Sequence, residues 1–116
     1  MYKYKFRPEY GSSNDSLRLL IEFVEGAENE AFLSDLLNAI SELNPNIEDI
    51  TDLWMNDEIL ISIASEMGGF IISKDIWGLA FIMAGNNQEC LLKINSILEA
   101  NENYIKVEVN FTDYYK

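Results

Sequence analysis

Between Ile59 and Met83 the chain passes through three apolar segments divided by two short breaks. They are Ile59-Leu60-Ile61-Ser62-Ile63, then Phe70 to Ser73, then Trp77 to Met83, with Gly68-Gly69 and Lys74-Asp75 as the breaks. Short runs rich in β-branched and aromatic residues read as strands. Gly68-Gly69 tolerates the positive φ that two-residue hairpin turns require. Strands joined by tight turns pair antiparallel. In the last segment Trp77, Leu79, Phe81 and Met83 share one face, while Gly78, Ala80, Ile82 and Ala84 share the other. Both faces are apolar, which predicts a central strand, and the face of mostly small residues leaves room for a helix.

The rest of the chain is read against this sheet. Tyr2, Tyr4 and Phe6 alternate with Lys3, Lys5 and Arg7, a strand with one wet face. Pro8 and Gly11-Ser12-Ser13-Asn14 end it. Residues 17–24 fit either period: Leu17, Leu19, Ile21 and Phe23 suit a strand, and Leu17, Leu20, Ile21 and Val24 suit a helix. We read them as a strand, set off by Gly26. A helix is predicted over 28–43, with Phe32, Leu33, Leu36, Leu37, Ile40 and Leu43 as its apolar stripe, stopped by Asn44-Pro45. Residues 46–52 read as an acidic connection, Leu53-Trp54-Met55 as a short strand and Asn56-Asp57 as a turn. A second helix runs from Asn86 to about Ala100, with Asn86 and Glu89 spaced as a capping box. Cys90, Leu91, Ile94, Ile97 and Leu98 form its buried stripe. Tyr104 to Phe111 alternates, with Ile105, Val107, Val109 and Phe111 expected inward and Lys106, Glu108 and Asn110 outward. The expectation is an α+β fold: a mainly antiparallel sheet with two helices packed on it. A chain of 116 residues is expected to form a single domain, 1–116.

The charge is distributed unevenly. The span from Leu19 to Ser73 holds twelve carboxylates and neither Lys nor Arg. Outside it, eight bases balance eight acids, so the net charge of −12 sits in one contiguous stretch. An acidic surface repels nucleic acid and anionic membranes and suits a basic partner. The same composition also arises where acids are merely solvated. The densest part is Glu42, Glu48, Asp49, Asp52, Asp57 and Glu58, with Trp54 among them. An aromatic anchor ringed by steering charges is a pattern of partner-binding surfaces. Those seven residues are the candidate partner-binding set, with core packing as the competing role for Trp54.

Little catalytic chemistry is available. There is no histidine, which removes Ser-His-Asp and Cys-His catalysis and most zinc sites. Cys90 is the sole cysteine, so no internal disulfide forms, and its place on a buried stripe makes it a structural thiol. Asn44 to Asp49 lacks the glycine and the bidentate glutamate of a calcium loop. Met67-Gly68-Gly69-Phe70 is a hairpin turn and no phosphate cradle. No catalytic, cofactor-binding or metal residues are assigned, and no enzyme activity is expected. The basic N-terminus lacks the apolar run of a signal peptide, and Met67 to Asn87 is broken by Lys74, Asp75 and glycines. The expectation is a cytoplasmic protein that uses no cofactor and enters no membrane.

In size, acidity, lack of a catalytic set, and the segment Lys74-Asp75-Ile76-Trp77-Gly78-Leu79-Ala80-Phe81, the chain resembles the small immunity proteins that bacteria make beside secreted or contact-delivered toxins. No residue roles carry over from that diverse group. The resemblance implies a protein that binds one toxin domain and blocks its active site or a nearby surface. A nuclease toxin is basic, because it holds a phosphate backbone, and an acidic inhibitor complements it. The alternative is an acidic nucleic-acid mimic that inhibits a nucleic-acid-binding enzyme.

Overall fold

A computed structural model of the chain, describing residues 2–9, 18–53, 55 and 57–114, contains one seven-stranded sheet and two helices. The strands are β1 (Tyr2–Pro8), β2 (Leu19–Glu25), β3 (Asn46–Leu53), β4 (Glu58–Ala64), β5 (Phe70–Asp75), β6 (Ala80–Met83) and β7 (Tyr104–Lys106). The helices are α1 (Phe32–Ala39) and α2 (Gln88–Glu99). The spatial order is β3-β4-β5-β6-β2-β1-β7. Every pairing is antiparallel except β1 with β7, where Tyr2 lies beside Tyr104 in a parallel register. The α+β expectation holds. Among the described residues no helix is long and apolar enough to cross a membrane.

One face of the sheet and both helices enclose the core. Tyr4, Ile21, Phe23, Ile72, Ala80 and Ile82 of the sheet and Phe32, Leu36, Leu91, Ile94 and Leu98 of the helices are fully buried. Phe23 anchors an aromatic group, with its ring 4.9 Å from Phe32 and 6.1 Å from Tyr4. Residues 19–25 are a strand, so the period-two reading holds over them, while Leu17 and the loop expected at Gly11-Ser12-Ser13-Asn14 lie outside the described residues. As its two apolar faces predicted, β6 occupies the middle of the sheet. Cys90 is buried, and burial pushes its thiol pKa up against a smaller opposing effect from the Ser65 hydroxyl.

Several expectations fail, each for a local physical reason. The segment 46–52 is no connection: with Leu53 it forms β3, an eight-residue edge strand. A bulge at Glu48 hid it, because Ile47 and Ile50, three residues apart, face the same way opposite Ile63 and Ile61. The short strand expected at 53–55 does not appear among the described residues. Leu53 ends β3, Met55 and Asp57 belong to the connection that follows, and Trp54 and Asn56 lie outside the described residues. The helix begins at Phe32. Residues before it form turns, with the Asn29 Oδ1 accepting the Ala31 N–H at 2.9 Å, and Ser41–Leu43 is a 3-10 turn.

The strand expected from Trp77 starts only at Ala80. The one expected to reach Phe111 stops at Lys106, and its facing is inverted: Tyr104 is buried and Ile105 is exposed. Asn86 and Glu89 form no capping box. The N-cap is Asn87, whose side-chain N–H groups instead donate to the Met67 and Gly69 carbonyls at 2.8 and 3.1 Å. Gly68 makes that clamp possible, because its φ is +98° and a Cβ there would stand 2.7 Å from the Asn87 amide nitrogen.

Arg7 lies on the strand parity expected to be wet, yet it is buried. Its Nε–H donates to Glu22 at 2.7 Å, and its guanidinium lies 4.9 Å from the Tyr114 ring and 5.9 Å from Phe81. The 3-10 turn Phe111–Tyr114 packs beside β1 and supplies part of that cover.

Candidate protein-binding end of the sheet

Two connections lie side by side at one end of the sheet. The β3–β4 connection carries Met55 and Asp57, and the β5–β6 turn carries Ile76, Trp77, Gly78 and Leu79. The Ile76 N–H donates to the Asp57 carbonyl at 3.2 Å and ties them together. Asp75 organises the second turn from within. Its Oδ1 accepts the N–H groups of Trp77 and Leu79 at 2.9 and 3.0 Å, an Asx-type turn. Gly78 sits at φ +85°, and a Cβ there would stand 3.3 Å from the Glu28 carboxylate. The chain therefore reverses tightly, and its large side chains point outward. Trp77 and Ile76 are each 69% exposed and Met55 is 80% exposed. Exposed large apolar residues grouped together mark interaction surfaces.

Beside this tip opens a cleft of about 560 Å³. Glu28, Asp52, Asp57, Glu58 and Asp75 line it, with Lys74 as the only base among the described residues. Among the described residues that line it, acidic ones outnumber basic ones five to one. By strand register Asp52, Ile59 and Lys74 lie across the sheet on its helix-bearing face. Lys74 makes no ion pair with any described carboxylate, and its ammonium sits 5.7 Å from the Phe32 ring. The Ser73 hydroxyl donates to Glu58 at 2.5 Å on the opposite face of the sheet. An acidic cleft of this kind suits a lysine or arginine side chain.

The sequence-predicted residues divide among three places. Asp52, Asp57 and Glu58 line the cleft. Glu48 and Asp49 lie farther along β3, with Asp49 opposite Ser62 on the face away from the helices and Glu48 lining a separate hollow there with Ile71 and Met83. Glu42 follows α1, exposed, with the Lys93 ammonium 3.6 Å away. Trp54 lies outside the described residues. The sequence reading missed Glu28, Asp75, Ile76 and Trp77. An Asp followed three residues later by Gly was the available turn signal at Asp75-Ile76-Trp77-Gly78. The alternation around it masked that signal.

A second hollow, of about 390 Å³, lies among Tyr2, Asp35, Asn38, Asn101, Asn103 and Tyr104. There the Tyr2 hydroxyl donates to Asp35 at 2.5 Å. Burial first, then Asp35, pushes the Tyr2 pKa up to about 12. This hollow is polar and presents no large exposed apolar side chain.

Among the described residues no group of three or more Cys, Asp or Glu is placed to hold a metal ion. In comparisons with family models, curated proteins and solved structures, nothing matches the chain. What the site can do rests on its own geometry.

Proposed function

We propose that this protein is an immunity protein that neutralises a basic toxin domain, a nuclease, by binding it through the Trp77 end of the sheet. One observation carries the reading: Ile76, 69% exposed, lines a cleft whose described lining includes five acidic residues, and Trp77, equally exposed, follows it in the same turn. Buried aromatic anchors supply most of the energy of an interface, while surrounding charge sets association rate and selectivity. The skewed charge of the chain adds long-range attraction for a basic partner. The apolar anchor separates this reading from a nucleic-acid mimic, whose contacts to a phosphate-binding groove need carboxylates alone.

The test is capture of partners from the native host on the tagged protein, washed at low and then high salt. The expected result is one stoichiometric basic protein that survives high salt and is lost with Trp77→Ala. Inhibition of that protein's nuclease activity by the captured complex completes the assignment. Several basic proteins that all elute at high salt would instead indicate the mimic, and recovery of the chain alone would remove the reading.

A further inference from the structure

The sheet has two edges, and they differ. At one edge β7 is three residues long. At the other, β3 runs for eight residues, and all but Leu53 are exposed. Among the described residues β3 pairs only with β4, so every second N–H and C=O along it faces outward without a strand partner. Such an edge is a template for another strand, and proteins restrain it with bulges and charges. β3 has both: the bulge at Glu48, and the carboxylates of Glu48, Asp49 and Asp52. A carboxylate edge repels a second copy of itself and attracts a basic chain. Its two faces also differ. Ile47 and Ile50, 44% and 55% exposed, lie on the helix-bearing side, and Asp49 lies on the other. Asp52, at the far end, belongs to the wall of the cleft beside Trp77.

We propose that the free edge of β3 receives an extended segment of the basic partner as an added strand. Alternate side chains of that segment are apolar, against Ile47 and Ile50, and basic, toward Asp49. A further cation enters the cleft where β3 ends at Asp52. Main-chain hydrogen bonds supply affinity, and the alternating faces supply selection. This mode rests on the reading of a basic protein partner and adds how that partner is held.

The test uses the whole protein and two synthetic peptides of equal charge. One is Lys-Val-Lys-Val-Lys-Val-Lys. The control carries proline in place of its two outer valines, which removes main-chain donors. Amide exchange over residues 46–53 is followed by NMR. With the first peptide bound, outward-facing β3 amides are expected to exchange about two- to tenfold more slowly, as new hydrogen bonds require. The control leaves them unchanged. The double variant Asp49→Lys with Asp52→Lys, both exposed, keeps its fold and loses the effect. If both peptides bind equally without slowing β3, strand addition is overturned while the basic-partner reading stands. If neither binds at low salt, strand addition is overturned as well. The partner reading is then judged separately, by the salt-washed capture.

Discussion

The two ends of this sheet are built on opposite principles. On the β1–β7 side, charges are matched. Lys3 pairs with Glu25, Arg7 with Glu22, Arg18 with Glu9 and Lys106 with Glu99, at 2.7 to 3.9 Å. Three buried tyrosines, Tyr2, Tyr4 and Tyr104, pack into the core there. On the β3–β4 side, carboxylates outnumber bases and isoleucines face solvent, and the adjoining β5–β6 turn holds out a tryptophan. The first side uses its side chains to hold the fold. The second leaves side chains and backbone groups available to another molecule. Substitutions should therefore separate stability from binding.

The largest effect is expected from Phe23→Ala. The ring is fully buried among Phe32, Tyr4 and Tyr104, and emptying such a site costs about 3–5 kcal/mol. Urea unfolding should show this as a large fall in midpoint. Trp77→Ala in the same assay should change stability by less than about 0.5 kcal/mol. A large loss there would mean the indole supports the fold, and the contrast would collapse.

Arg7→Ala should come next, at about 3 kcal/mol, because it leaves Glu22 only 18% exposed and without its guanidinium. Asp52→Lys, at an exposed position on β3 on the other side, should leave the unfolding midpoint within the usual surface range of about ±0.5 kcal/mol. Equal losses from the two variants would show that the ends are not different in kind.

Alkali should act through the matched side. Burial raises the pKa of Tyr2 to about 12 and pushes Tyr4 and Tyr104 further up. An unfolded tyrosine releases its proton near pH ~10. Above that pH the unfolded chain loses protons that the folded chain keeps, so stability is full below it and falls as pH rises. Tyrosinate absorbance should therefore include a late fraction that appears together with loss of circular dichroism. Ionisation of all tyrosines near pH ~10 with the fold intact would contradict the burial of these three.

The smallest effect is expected at Glu42. Its pairing with Lys93 is exposed on both partners, and Glu42→Gln should shift stability by no more than about 0.5 kcal/mol. A larger shift would extend the matched region to the helices.

What the chain announced locally is what it formed locally. The antiparallel pairing of β4 with β5, the second helix over 88–99 and the buried stripe of α1 follow from side-chain period, although the β4–β5 turn spans residues 65–69, and of its two glycines only Gly68 takes a positive φ. Neighbours in sequence determine those directly. The acidic imbalance is likewise a property of composition. Three features required the folded chain. β3 is invisible to a period-two reading because the bulge at Glu48 breaks the alternation and an exposed edge needs no apolar face. Trp77 became a turn residue because the Asp75 carboxylate captures two backbone N–H groups that a strand would have used. The parallel pairing of β1 with β7 joins residues about a hundred positions apart, and it puts Tyr104, not Ile105, into the core. Nothing in a short window of sequence encodes such contacts, since each depends on what the rest of the fold brings alongside.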